Sequence, residues 1–151
     1  MVDSIVRELQ RATHVVLEAL EGELAGLKLR ASEINVLANL ADGEPRPVSR
    51  LAAEVGSRPT TMTTVLDRLA ARALIRRTAN PDDRRSLLIE LTPAGRRTAR
   101  RVRSAVDRVE EQAVAGLSPH AVAALRRGLA ALGGSHDPLR GAHDPLRGGH
   151  A

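Results

Sequence analysis

Two side-chain patterns in the middle of the sequence could make directional contacts to a charged partner. The first is the threonine run Thr60, Thr61, Thr63 and Thr64 in the segment SRPTTMTTVLDRL. Hydroxyl groups both donate and accept hydrogen bonds. The second is NPDDRR, residues 80–85, in which two arginines follow two aspartates. Guanidinium groups bind phosphate oxygens through paired hydrogen bonds, so both patterns favour a polyanionic partner.

Basic residues are concentrated around these patterns. Residues 45–103 hold 14 arginines and five acidic residues, a net charge of +9, whereas residues 1–44 carry −4 and residues 104–151 are neutral. A basic segment between acidic and neutral flanks is typical of a surface that binds a polyanion. Charge runs are also typical of ordinary solvated faces, so charge alone leaves both interpretations open.

The composition argues against several other kinds of site. Without cysteine there is no disulfide framework, thiolate nucleophile or cysteine metal site. His14, His120 and scattered carboxylates could serve acid–base chemistry, but no glycine-rich phosphate loop, nucleophile elbow or HExxH motif accompanies them. We therefore predict that the protein is not an enzyme and uses no cofactor or metal. The first residues lack the apolar run of a signal peptide, and no segment resembles a membrane span, which predicts a cytoplasmic protein without a membrane partner.

Apolar spacing predicts the elements that must position the threonines. Spacings of three and four residues predict a helix over about residues 3–26, a second capped by Ser32 and a short third opening at Ser49. The threonines then lie on a helix capped by Ser57, with Pro59 in its first turn. Its predicted buried stripe is Met62, Val65, Leu66 and Leu69.

The arginines of the second pattern lie at the tip of a predicted hairpin. Residues 74–79 and 86–92 are rich in residues typical of strands, and the Asn-Pro-Asp turn signal lies between them. Thr92 is predicted to cap a long helix from Pro93, and Ser118 to precede a final helix that ends near Gly133. The HDPLRG repeat over residues 135–151 predicts a disordered tail; its three histidines, seven residues apart, leave weak metal capture as an alternative.

This element order predicts a mainly α fold with a small β-hairpin wing, a winged helix-turn-helix. A major groove admits one helix, and threonine side chains let the helix backbone approach the bases. A wing tip rich in arginine suits the negative potential of a narrow minor groove, and Asp83 could pair with Arg85 and fix its direction. The residues that we predict to contact DNA are Ser49, Ser57, Arg58, Thr60, Thr61, Thr63, Thr64, Arg68, Arg76, Asn80, Asp83, Arg84, Arg85 and Ser86.

Residues 31–97 resemble the multiple-antibiotic-resistance regulator (MarR) family of bacterial transcription factors. The matching features are LRASEINVLANL, the segment from VSRLAAEVG to ELTPAG, and the long helix after it. The wing pattern Asp83-Arg84-Arg85, followed by Leu91-Thr92 and Gly95, is specific to this resemblance. Ala73 departs from it, because the family usually has glycine before the first wing strand.

The resemblance implies a homodimeric regulator, most commonly a repressor. It divides the chain into an N-terminal dimerisation helix (1–30), a DNA-binding domain (31–97), C-terminal dimerisation helices (98–134) and the tail (135–151). A two-fold dimer should bind a pseudo-palindromic double-stranded operator with half-sites about one helical turn apart. The resemblance also implies a small-molecule effector cleft, whose lining we predict as Leu17, Leu20, Leu24 and Leu37.

Three alternatives stay open at this point. The basic charge would also fit a non-specific architectural DNA-binding protein, which should not prefer its own operator over random DNA. A helical dimerisation module with a vestigial DNA face would show no salt-dependent DNA affinity. The apolar stripes outside the basic segment could also complete the core of a monomer.

Overall fold

The computed structural model describes residues 4–134, which are mainly helical with a small antiparallel sheet. The described residues divide into two compact units, with the boundary between residues 111 and 112. A short 3-10 turn, Ala25–Leu27, follows the first helix. The helices are α1 Ile5–Glu23, α2 Ala31–Asn39, α3 Val48–Val55, α4 Pro59–Ala71, α5 Pro93–Val114 and α6 Pro119–Gly134, and the strands are β1 Arg46–Pro47, β2 Ile75–Ala79 and β3 Leu87–Leu91.

The first unit has an aliphatic core, because the sequence contains no aromatic residue. Small and branched side chains from α2, α3, α4, β3 and α5 fill it, and many of them are fully buried. The predicted stripe of α4 is confirmed: all four of its members are at most 3% exposed. Its burial fixes which face of α4 points outward.

The predicted hairpin is confirmed, and a third strand joins it. β2 and β3 pair antiparallel, with Ile75 opposite Leu91 and Ala79 opposite Leu87. The additional strand β1 pairs with the other edge of β3, giving the order β1-β3-β2. We did not predict β1, because it has two residues and contains a proline, which cannot donate a ladder hydrogen bond.

Of the three predicted helix caps, Thr92 is confirmed, and Ser32 and Ser57 are wrong. Thr92 Oγ1 accepts the Gly95 N–H at 2.9 Å, and Ser118 Oγ accepts the Ala121 N–H at 3.2 Å. The N-cap positions of α2 and α4 are instead Arg30 and Arg58, and neither cap residue's side chain satisfies the helix. At α2, the Glu33 carboxylate takes the capping role and accepts the Arg30 N–H at 2.9 Å.

A buried arginine fixes the turn between α2 and α3. The side chain of Arg46 is 10% exposed, and both of its terminal nitrogens bond to the Asp42 carboxylate. Its Nε atom lies 2.8 Å from Glu54 Oε2 on α3, as an ion pair outside hydrogen-bond geometry. The hydrogen bond from Arg46 lowers the pKa of Asp42 from 3.8 to about 2.

This lowered pKa predicts an acid-sensitive contribution to stability. The ionised Asp42–Arg46 pair stabilises the folded state fully above about pH 4, and the contribution is lost as the pH falls through about 2. Since the Asp42 side chain is 48% exposed, solvent screens the pair, and we expect only about 1 kcal/mol. Urea unfolding of the protein and of Asp42→Asn should differ by this amount at pH 6 and converge near pH 2. An equal difference at both pH values would contradict the assignment.

Apolar side chains are exposed on α1 and α6. Ile5, Val6 and Val15 of α1 are more than half exposed, and Leu125 and Leu129 of α6 are nearly half exposed. α6 has no buried residue at all. Among the described residues, the apolar side chains of α6 and of the N-terminal part of α1 therefore stay outside the core, whereas Leu20 near the end of α1 is buried in it.

Two further sequence predictions concern a membrane span and the C-terminal tail. Among the described residues, no helix is long and apolar enough to cross a membrane. The predicted tail, residues 135–151, with its three histidines, lies outside the described residues.

Candidate nucleic-acid interface

The threonine run forms the outer face of α4. Thr60, Thr61, Thr63 and Thr64 are all exposed, because the stripe on the opposite face packs into the core. The Thr63 hydroxyl donates to the Pro59 carbonyl oxygen at 3.2 Å, so its methyl group is the part available to a partner. The other three hydroxyl groups make no hydrogen bond within residues 4–134. This face offers small donors, acceptors and methyl groups at the surface of one helix.

A sharp turn presents the start of α4. α3 ends at Val55, and its C-cap Gly56 has a φ of 68°, the left-handed conformation that glycine adopts without strain. Three residues after Gly56, α4 begins at Pro59, with exposed Arg58 at its N-cap. Ser57 lies half-buried in the turn, and Ser49 is exposed on α3. The two helices thus form a helix-turn-helix whose second helix carries the threonines.

Arg68, which we predicted to contact DNA, makes hydrogen bonds within the protein. Its Nε donates to Glu33 Oε1 at 3.0 Å, and its Nη2 donates to Ser32 Oγ at 3.3 Å. Glu33 is buried, and Arg72 Nη1 lies 4.0 Å from the other carboxylate oxygen. Arg72 also donates to a carbonyl of the 3-10 turn at 2.7 Å. Arg68 and Arg72 therefore attach α4 to the elements behind it, because a buried carboxylate requires a cationic partner.

Internal hydrogen bonds shape the wing tip. Asn80 Oδ1 accepts the Asp82 N–H at 3.0 Å, and Asn80 Nδ2 donates to Ser86 Oγ at 2.8 Å. We predicted that Asp83 pairs with the guanidinium of Arg85. Instead, Asp83 Oδ1 accepts the Arg85 backbone N–H at 3.0 Å, so Asp83 fixes the backbone before Arg85. These residues hold the loop as two successive Asx turns.

The two arginines of the tip, Arg84 and Arg85, are exposed. Their guanidinium groups have no hydrogen bond or ion pair with any residue between 4 and 134. The polar residues of this loop form hydrogen bonds within the loop, whereas its two guanidinium groups stay unpaired. Such a loop is suited to an anionic partner.

Ion pairs connect the wing strands to each other and to α4. Arg76, a predicted DNA contact, instead pairs across the hairpin with Glu90 at 2.8 Å, and this hydrogen bond lowers the pKa of Glu90. Arg77 Nη2 lies 2.6 Å from Asp67 Oδ1 on α4. Sequence reasoning missed the second pair, because its partners are ten residues apart and only the folded hairpin brings them together. The wing and α4 thereby present one surface.

The base of the wing is closely packed. Thr92 Oγ1 donates to the Ala73 carbonyl oxygen at 2.6 Å, and the Thr92 N–H bonds to the Leu74 carbonyl oxygen at 3.1 Å. Ala73 has a φ of 52°, so this turn keeps the left-handed conformation despite the alanine. Gly95 in the first turn of α5 lies so close to Leu74 that an added Cβ would overlap the Leu74 carbonyl oxygen.

The residues of the predicted effector lining are mostly buried in the described chain. Leu37 is fully buried, and Leu20 is 6% exposed, so both belong to the aliphatic core. Leu17 is half-buried on α1. Leu24 borders a cleft of the first unit. The apolar spacing in each helix indicated inward-facing residues, and the core buries Leu20, Leu24 and Leu37.

Comparison with known proteins places this architecture in a family. The sequence model of the MarR family matches residues 29–87. A probable transcriptional regulator from Pseudomonas aeruginosa is 32% identical, with a TM-score of 0.72 over 86% of this chain and 97% of its own. The chain belongs to the MarR family. The search of curated proteins gave no match.

Two further proteins of similar structure are associated with small molecules. CouR from Rhodococcus jostii RHA1, solved with p-coumaroyl-CoA, is 27% identical, with a TM-score of 0.75 over 87% of this chain and 92% of its own. BpsR from Bordetella bronchiseptica is 25% identical, with a TM-score of 0.75 over 86% of this chain and 93% of its own. The DNA binding of BpsR is regulated by 6-hydroxynicotinic acid. MarR-family proteins are transcription regulators rather than enzymes, and they bind DNA and effector ligands.

Proposed function

We propose that this protein is a sequence-specific transcriptional repressor, with α4 in the major groove and the wing in the minor groove. The observation that carries the proposal is the unpaired Arg84 and Arg85 on a wing fixed to the exposed threonine face by the Arg77–Asp67 pair. Threonine hydroxyls and methyls can read base edges, and arginine suits a narrow minor groove. Arg58 and Ser49, both exposed beside α4, would contact phosphates.

The repressor would act as a homodimer. Apolar residues exposed on α1 and α6 have no core of their own, and a second copy of the chain would cover them. A two-fold dimer carries two recognition helices, so its operator is a pseudo-palindrome with half-sites about one helical turn apart. Operator DNA lies in the bacterial cytoplasm, so the protein would act there.

Selection of duplexes from a random pool tests this function. The purified full chain should enrich one palindromic motif and bind it about 10³-fold more tightly than random DNA at physiological salt. Equal affinity for all duplexes would instead identify a non-specific architectural protein. Absence of salt-dependent binding would leave only a dimerisation module.

Arg85→Ala tests the wing. Loss of one phosphate or minor-groove contact should weaken operator binding about tenfold and reduce the slope of log affinity against log salt by about one. Fluorescence anisotropy with a labelled operator measures both quantities. Arg127→Ala, an exposed arginine on α6, removes the same charge and should change neither. An unchanged slope for Arg85→Ala would remove the wing from the mechanism.

A small-molecule effector is part of the proposal. The ligands of CouR and BpsR support it. Binding of an effector would change the affinity for the operator through a coupling free energy between the two sites. The chain must therefore offer a second, concave site apart from the DNA face.

A further inference from the structure

Arginines follow one face of α5 directly after the wing. Arg97, Arg100, Arg101 and Arg108 recur at spacings of three, four and seven residues with Ser104 among them, so they point in one direction. They border a cleft of about 370 Å³ between α5 and the end of α1. Glu23 and Leu24 of α1 form its other wall.

This cleft has an excess of positive charge. Arg108 donates to Glu23 Oε2 at 2.7 and 3.0 Å, and Glu23 is the only acidic residue among the described residues that border the cleft. The guanidinium groups of Arg97, Arg100 and Arg101 make no hydrogen bond or ion pair with another residue between 4 and 134. Arg97 and Arg101 also form a like-charge pair at i and i+4, which destabilises the helix unless an anion screens it.

The shape of the cleft selects among anions. It is concave, with the nearly buried Leu24 as one apolar wall and the Ser104 hydroxyl as an added donor. Three unpaired guanidiniums exceed the charge of a single carboxylate, whereas a phosphate-bearing molecule with two or more negative charges would neutralise them. We propose that this arginine cleft, bordered by Arg97, Arg100, Arg101 and Ser104, binds a small phosphate-bearing anion.

Occupation of the arginine cleft should also affect DNA binding, a consequence that rests on the proposed function. Arg97 lies two residues after Gly95, which packs against the wing base at Leu74. An anion in the cleft would neutralise part of the basic segment that continues into the wing. Since operator affinity depends on the protein's positive field, the bound anion should lower it.

Calorimetric titration of the full chain with inorganic pyrophosphate, without DNA and at constant ionic strength, tests the site itself. We expect saturable binding with one pyrophosphate per chain. Charge-assisted hydrogen bonds are strong enough that the double variant Arg100→Gln/Arg101→Gln should bind at least about tenfold more weakly. Arg97→Gln is a second, milder variant. Arg103→Gln removes the same charge from the same helix but outside the cleft, and should bind as the parent does.

Three results would overturn the proposal. If the binding heats of pyrophosphate were no greater than those of sulfate at matched ionic strength, the cleft would contain no specific phosphate site. An equal loss in Arg103→Gln would reduce the effect to general electrostatics. A shift of the monomer–dimer equilibrium in the double variant, with no change in pyrophosphate binding, would assign the arginines to a second copy of the chain. Each readout is independent of DNA, so failure of the repressor function would be detected separately by operator selection.

Discussion

Replacement of Gly95 by alanine should destabilise the protein strongly, because among the described glycines only Gly95 has atoms within 4 Å of an added Cβ. The added Cβ would lie 1.8 Å from the Leu74 carbonyl oxygen and 2.8 Å from its carbonyl carbon, so backbone must move. Displacement of α5 from the wing base would also strain the bonds of Thr92 to Ala73 and Leu74. We expect a loss of about 3 kcal/mol in the free energy of unfolding.

Urea denaturation followed by circular dichroism measures this loss, since the chain has no tryptophan for fluorescence. Gly22→Ala is the matched control, because Gly22 also lies in a helix but has no atom within 4 Å of an added Cβ. Alanine there should be neutral or stabilising by about 0.5–1 kcal/mol. Equal stabilities of the two variants would mean that α5 and the wing base are not in contact as described.

Glu33→Ala should have the second large effect, on stability and on operator binding together. The buried carboxylate of Glu33 joins Arg68 of α4 to the start of α2, where it also accepts the Arg30 N–H. Its removal leaves Arg68 and Arg72 without their anion, at a cost of about 3 kcal/mol. α4 then loses the polar contact that fixes its orientation. Operator affinity should therefore fall, although no predicted DNA contact has been replaced.

A double-mutant cycle with Arg68→Ala separates this pair from general damage. If the two side chains interact as described, the double variant should be less destabilised than the sum of the single variants by about 1 kcal/mol or more. Operator affinity is then compared at a temperature where all four proteins are folded. Additive stabilities, or full operator affinity of Glu33→Ala, would contradict the positioning role.

Local patterns in the sequence were sufficient to predict the secondary structure around the interface. The apolar stripe of α4, the strand-turn-strand alternation and the Thr92 cap each depend on neighbours within a few residues, and the structure has all three. β1 gave no such signal, because a two-residue strand has no period to detect.

Partners that meet only in the folded chain could not be predicted in the same way. Arg68 has the right type and place for a DNA contact, yet it pairs with a residue 35 positions earlier. Arg77 meets Asp67 only because the hairpin returns to α4. The apolar spacing within α1 and within α2 correctly marked Leu20 and Leu37 as inward-facing, but it did not distinguish a core from a cleft. Charged and apolar side chains alike take their roles from tertiary neighbours.

The bond between Asp67 and Arg77 has a consequence for how the protein could release DNA. This contact and the Thr92 bonds join α4, the β2–β3 hairpin and α5, so none of these elements can move by itself without breaking them. A displacement of α5 would therefore move α4 and the wing together with it. In a dimer, this movement would change the distance between the two copies of α4, so that they no longer match the helical repeat of the duplex.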